Sequence, residues 1–272
     1  MAARLNHIAI VSQDCQRESE FYKTLFGMKG GEGKTTKTSD PKLRAVELSD
    51  GYVGINFNGR KPGYRGELHH FGFEVDDIDA VCTRIRARYP NIKASKRPSN
   101  RPFAALTTHD PEGIFFDLSH KNWELRRGIY ADEGWEQARR VHHIKLRVID
   151  APKIANFYKE VLQLEEEEKA LEDPNFYLTD GRMTLIIAPW DIDDFTGAGI
   201  DGPGLEHVGF KVESIEAMQR EVESFRKSNP DSAGMTVPQG VGGEVRLGII
   251  ASCRYGQCQL ADPDGIFVDL SQ

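Results

Sequence analysis

His7-Ile-Ala-Ile-Val11, His70-Phe-Gly-Phe-Glu-Val75, His143-Ile-Lys-Leu-Arg-Val148 and His207-Val-Gly-Phe-Lys-Val212 are four versions of one strand phrase. Each opens on a histidine and continues with apolar residues in alternation. His7 and His70 are 63 residues apart, His143 and His207 are 64 apart, and the two pairs are offset by 136 and 137. A second phrase closes each half: Asp110-Pro-Glu-Gly-Ile-Phe-Phe-Asp-Leu-Ser119 and Asp262-Pro-Asp-Gly-Ile-Phe-Val-Asp-Leu-Ser271, offset by 152. The chain is therefore an internal duplication, and each half is itself a pair of units.

Working outward, each unit reads strand, helix, further strands. Asp14 is placed to cap a first helix that stops at Gly27. Its counterpart starts after Asp150, with Pro152 in the first turn and a stripe of Ile154, Phe157, Tyr158, Val161 and Leu162. Ser49-Asp-Gly51 and Thr179-Asp-Gly181 mark hairpins. The expected division is residues 1–122, a linker at 123–140, and residues 141–272, each half long enough for its own core. Two loops, Asp191–Gly204 and Asn229–Gly243, belong to the second half alone; they suit either lids or solvated insertions.

The 272 residues are 28% charged and 39% hydrophobic, with net charge -7. No basic stripe or tail points to nucleic acid. No apolar run approaches the roughly 18 residues of a membrane span. Four scattered cysteines make no disulfide framework, so the expected compartment is the cytoplasm. Cys253 and Cys258 lack the spacing of a metal pair.

Strand side chains alternate faces. Ile144, Leu146 and Val148 go to the core, leaving His143, Lys145 and Arg147 opposite. The same alternation frees His70 and His207, and frees Asp117 and Asp269 in the closing strands. Ala9, Gly72 and Gly209, two residues after a histidine, leave room for a ligand. His69 and His142 should turn the other way, to the core edge. Each half thus offers two histidines and one aspartate: His7, His70 and Asp117, then His143, His207 and Asp269. Two readings stand, polar residues on a wetted sheet face or ligands of a divalent metal. The facial form of this set is typical of Fe(II) oxygenases, and Mn, Zn, Ni or Co use the same ligand types.

The His-led strands, Phe21-Tyr-Lys-Thr-Leu-Phe-Gly-Met28 with Phe157-Tyr-Lys-Glu-Val-Leu-Gln-Leu164, and the Asp-Pro closures together resemble the vicinal oxygen chelate superfamily. That superfamily includes glyoxalase I, type I extradiol dioxygenases, methylmalonyl-CoA epimerase, and fosfomycin and bleomycin resistance proteins. The resemblance implies an α+β fold of four βαβββ modules paired into two barrel-like domains. It implies metal ligands at the six residues above, with metal in the C-terminal half alone for extradiol dioxygenases. The family usually has glutamate where Asp117 and Asp269 stand. The His and Tyr that extradiol enzymes carry before the last turn are missing; Gln259 holds the tyrosine place, with Tyr255 nearby.

The expected function is a metal-dependent enzyme acting on a small vicinal-oxygen substrate, with Fe(II) dioxygenase-like chemistry favoured. The alternatives are a glyoxalase-like lyase or isomerase and a metal-free binding or resistance protein. Tyr255 and His109 are catalytic candidates, and Lys145 and Arg147 are substrate-binding candidates. The expected partner is a small molecule, with neither nucleic acid nor membrane, and a homo-oligomer is compatible.

Overall fold

The structure is a computed structural model that describes residues 3–33, 38–60, 63, 66–99, 101, 103–121, 137–198, 200–230, 248 and 253–272. Most of the expected linker at 123–140, and most of the loop at 229–243, lie outside the described residues.

The first unit runs β1 (Arg4–Ser12), α1 (Cys15–Phe26), β2 (Lys29–Glu32), β3 (Val46–Ser49) and β4 (Gly54–Gly59). The second runs β5 (Glu67–Val75), α2 (Ile78–Arg88), β6 (Ser95–Lys96), β7 (Leu106–His109) and β8 (Phe115–His120). The third runs β9 (Arg140–Val148), α3 (Ala151–Leu162), β10 (Glu165–Glu166), β11 (Phe176–Thr179) and β12 (Thr184–Pro189). A short helix α4 (Ile192–Ala198) leads into the fourth, with β13 (Gly204–Lys211), α5 (Ile215–Ser228), β14 (Cys258–Ala261) and β15 (Phe267–Ser271) among the described residues. The helix starts follow from their caps: the Asp14 carboxylate accepts from Arg17 N at 3.1 Å and Asp150 from Lys153 N at 3.1 Å.

Each half makes one sheet. Their strand orders are β2-β3-β4-β1-β5-β8-β7-β6 and β10-β11-β12-β9-β13-β15-β14. Two units meet at the central antiparallel pair, β1 with β5 and β9 with β13. The pairing within each half thus matches the α+β, four-module architecture that the family resemblance implies. Among the described residues, no helix is long and apolar enough to cross a membrane.

The core differs from the expectation of one per half. Buried apolar residues of both halves form one continuous cluster. Phe26 of α1 stacks on Phe210 of β13 with ring centroids 3.9 Å apart. Tyr158 of α3 packs on Phe71, Phe73 and Phe116 of the first sheet. Burying one helix between two sheets removes more apolar surface from water than covering one sheet alone.

Four aspartates, three of them buried, reinforce this contact reciprocally. Asp50 Oδ2 accepts from Val141 N at 2.8 Å, and Asp180 Oδ2 accepts from Leu5 N at 2.7 Å. Asp110 accepts from Tyr158 Oη at 3.3 Å, and Asp262 accepts from Tyr22 Oη at 2.8 Å. Every one of these bonds joins one half to the other.

Candidate metal centres

Register places the site. Gly72 pairs with His7 on one side and Asp117 on the other. Gly209 stands likewise between His143 and Asp269. A Cβ on Gly72 would overlap His7 Cε1, and one on Gly209 would overlap His143 Cε1. These glycines therefore give room to an imidazole rather than to a ligand, as their residue type alone suggests. Ala9 pairs with His70 and is fully buried.

The rings converge on the carboxylates. Asp117 Oδ2 lies 3.7 Å from His7 Nε2 and 3.3 Å from His70 Nε2. Asp269 Oδ2 lies 3.5 Å from His143 Nε2 and 3.7 Å from His207 Nε2, and those two nitrogens are 3.3 Å apart. Ligand nitrogens around a tetrahedral zinc sit about 3.3–3.4 Å apart, given Zn–N bonds of about 2.0–2.1 Å. Asp269 Oδ2 is fully buried and accepts no hydrogen bond among the described residues. The other oxygen is tied down in both cups: Gln259 Nε2 donates to Asp269 Oδ1 at 2.9 Å and Thr107 Oγ1 to Asp117 Oδ1 at 2.5 Å. The donor types, spacings and the bare oxygen fit a divalent metal. Aspartate in place of glutamate thus still reaches both imidazoles.

The residue before each of these four histidines breaks the strand alternation. The β1–β5 register skips Asn6 and His69, and the β9–β13 register skips His142 and Glu206. Such bulges re-aim a side chain. Here each skipped residue meets the Nδ1 atom of the histidine that follows it. Asn6 Oδ1 lies 2.8 Å from His7 Nδ1, and Asn6 Nδ2 donates to Ser119 Oγ at 2.9 Å. Glu206 Oε2 lies 3.1 Å from His207 Nδ1. His69 Nδ1 lies 2.7 Å from His70 Nδ1, and His142 Nδ1 lies 3.2 Å from His143 Nδ1. An acceptor at Nδ1 fixes the tautomer and leaves the Nε2 lone pair for a metal. His69 and His142 therefore do not turn to the core edge, because the bulge returns them to the histidine side.

Electrostatics follow from burial. Burial, followed by the neighbouring histidine, pushes His69 down to about 4 and His142 to about 3. His143 falls to about 4 by burial, against the pull of Asp269. Burial opposes ionisation of Asp117, but the His7 and His70 imidazoles beside it outweigh burial and hold the carboxyl well below its usual range. Glu206 is also held low, because Lys145, His207 and Arg147 outweigh its burial.

Lys145 and Arg147 are engaged with that carboxylate. Lys145 Nζ lies 3.2 Å from Glu206 Oε2, and Arg147 pairs with Glu206 Oε1 and with Asp194 at 3.2 Å. Both side chains are buried. The structure thus sets them behind His207. Tyr255 packs on His142 and His143, with centroids 4.7 and 5.4 Å away, and its hydroxyl donates to Glu167 at 2.5 Å. His109, at the end of β7, has Nδ1 2.7 Å from the Asp110 carbonyl and does not line the first cup's cavity.

The two cups differ in access. The first opens on a cavity of about 250 Å³ that includes Asn56, Asn58, Arg60, Arg97 and Arg101 in its wall. In the second, His143, His207 and Asp269 are fully buried, and Cys253 is 2% exposed. The Cys253 sulfur joins that triad, all four donor atoms lying within 4.8 Å of one another. Cys258 takes no part; it accepts from Gln219 Nε2 at 3.4 Å. Burial pushes the Cys253 thiol up to about 11. Asn6 and Glu206 are not among the residues singled out from the sequence, and Cys253 is considered there only as a metal pair with Cys258. The signals were there: two immediately precede a candidate ligand, and Cys253 stands 152 residues after Arg101, the offset of the closing phrases.

Comparison with known proteins agrees with this architecture. Curated proteins offered no significant sequence match. Among solved structures, 2,2',3-trihydroxybiphenyl 1,2-dioxygenase from Sphingomonas wittichii strain RW1 superposes with a TM-score of 0.62 at 15% identity, covering 99% of this chain and 90% of that one. The Mn(II)-bound glyoxalase from Novosphingobium aromaticivorans gives 0.61 at 14% identity, covering 99% and 81%. A xylose isomerase-like TIM barrel/4-hydroxyphenylpyruvate dioxygenase fusion protein gives 0.57 at 13% identity; the match takes in 99% of this chain but 48% of that longer one. At such identities the likeness concerns the fold. The family model for the Glyoxalase/Bleomycin resistance protein/Dioxygenase superfamily matches residues 4–125 and again 140–270. With both halves matched, the chain belongs to that superfamily.

Proposed function

We propose that the N-terminal cup is the reaction centre of a metal-dependent enzyme, that its substrate is a small anion with two adjacent oxygens, and that the metal is Fe(II). One observation carries this reading: His7, His70 and Asp117 meet at the wall of a cavity whose lining also includes Arg60, Arg97 and Arg101. Bound Fe(II) would supply Lewis acidity toward the substrate oxygens and redox chemistry toward dioxygen. The protein's own part is positioning. Asn6 and His69 orient the two imidazoles, Thr107 orients the carboxylate, and Phe103 packs on the His7 ring at 5.2 Å. The arginines favour a carboxylate or similar anion. A volume of about 250 Å³ lies at the small end for ligand sites, which restricts the substrate to about one ring.

Glu47 favours a second, redox-neutral reading of glyoxalase-like isomerase or lyase type. It is a buried carboxylate in the wall of the same cavity, of the residue type that serves as a general base. Oxygen uptake by anaerobically iron-loaded protein separates the two. Uptake with catechol carboxylic acids, abolished in Asp117→Asn and with KM raised roughly tenfold in Arg97→Gln, supports the oxygenase. Turnover of dicarbonyl adducts without oxygen, lost in Glu47→Gln, supports the second reading. Metal content of zero in protein purified without added metal, unchanged in Asp117→Asn, would leave the metal-free binding function expected as an alternative.

A further inference from the structure

We propose that the C-terminal cup holds a second metal ion in a closed site of four protein donors, completed by the Cys253 thiolate, and that this ion is structural. The chemistry proposed for the N-terminal cup is not needed for this inference. Three observations carry it. The donor atoms of His143, His207, Asp269 and Cys253 lie within 4.8 Å of one another, and none of the four residues is more than 2% exposed. Asp269 Oδ2 points into the cluster, fully buried and without a hydrogen bond among the described residues, while Gln259 occupies the other oxygen. Oδ2 has the His143 and His207 Nε2 atoms beside it at 3.5 and 3.7 Å, and a buried carboxylate oxygen without a hydrogen bond is costly unless a cation meets it.

The third observation is the comparison between cups. Residues 101 and 253 are equivalent by the 152-residue offset, as are Phe103 and Tyr255, and Thr107 and Gln259. Phe103 packs on His7 as Tyr255 packs on His143, so the equivalence holds in space. At that position the open cup has Arg101, a cation in the wall of its cavity. The closed cup has a thiol beside the triad. A guanidinium repels a metal and attracts an anionic ligand, whereas a thiolate is a metal donor. Duplicate sites have thus diverged at one position toward substrate and metal respectively.

Two imidazoles, one carboxylate and one thiolate make a set that suits Zn(II). Four protein donors fill zinc's usual coordination number, which is the mark of structural rather than catalytic zinc sites. Binding exchanges the thiol proton for the metal, and the proton leaves to solvent.

Cobalt reports thiolate ligation directly. Full-length protein is stripped with a chelator and titrated with Co(II), recording the near-ultraviolet thiolate-to-cobalt band. The expected result is a band saturating at one equivalent, absent in Cys253→Ser and retained in Cys258→Ser and Asp117→Asn. No band in the unaltered protein, or a full band in Cys253→Ser, overturns the proposal. Should Cys253→Ser fail to fold, alkylation of the unaltered protein with and without Zn(II), read by peptide mass spectrometry, answers the same question. At a urea concentration that makes Cys253 reactive in the metal-free protein, zinc is expected to protect it, and equal labelling there overturns the site. The structural role is tested in Asp117→Asn, which disables the other cup. Zinc at a hundredfold excess over Kd is expected to raise its Tm by about 5 °C; an unchanged Tm overturns that role.

Discussion

Gly72 and Gly209 act by what they lack. Each lies between a histidine and an aspartate, and the imidazole crosses the space a side chain would fill. Gly72→Ala should therefore push His7 away from Asp117. The expected cost is about 1–3 kcal/mol of overpacking, together with loss of the N-terminal cup's metal. Thermal melts and elemental analysis check both, and full metal retention in the variant would contradict the role given to the glycine. Glu206 is a different kind of residue. It is a buried carboxylate that neutralises Lys145 and Arg147 and also receives the Nδ1 side of His207. Glu206→Gln leaves two buried cations short of a counter-charge, at an expected cost of about 3–5 kcal/mol in urea denaturation. A loss below about 1 kcal/mol would mean that Asp194 alone carries Arg147 and that Lys145 finds water.

At the scale of elements, the strands were largely legible and their irregularities were not. Period-two alternation identifies His143 and His207 as lying opposite Ile144 and Val208, because one sheet face must meet the helices. It fails at Asn6, His69, His142 and Glu206. A bulge depends on the register against a partner strand, and no local pattern encodes that. The place of Cys253 beside the triad is hidden for a related reason: it precedes β14 in a bend with no alternation to read. The turns before β8 and β15 carry a measurable consequence. Asp110 Oδ1 accepts from Glu112 N at 2.9 Å and Ile114 N at 3.0 Å, yet burial outweighs these bonds and raises its pKa from 3.8 to about 6. The folded state therefore holds this proton more tightly than the unfolded chain does. Its stability contribution is highest below about pH 4, falls as pH rises to 6, and is level above that, a loss on the order of 2–3 kcal/mol. Asp110→Asn should flatten this slope, read from urea midpoints of metal-free protein at pH 4 and pH 7. An unaltered slope would assign the pH dependence to other groups, the buried Asp262 first among them.

At the scale of the whole molecule, duplication in sequence does not give two independent bodies. The core is continuous, and helices α1 and α3 each pack on the opposite sheet. Unfolding of the metal-free chain should accordingly be one cooperative transition, with near- and far-ultraviolet circular dichroism coincident. Two resolved transitions would show that the halves hold together only weakly. The reciprocal aspartate and tyrosine bonds point further. Asp110 with Tyr158 and Asp262 with Tyr22 are one contact made twice, as across a two-fold axis. A half-length protein with the same turn and helix would close on its own copy through an isologous interface. Two identical protomers joined in that way must carry identical sites, since any substitution appears in both. Covalent continuity removes that obligation. It leaves each cup free to change alone, so that one keeps a mouth and the other seals.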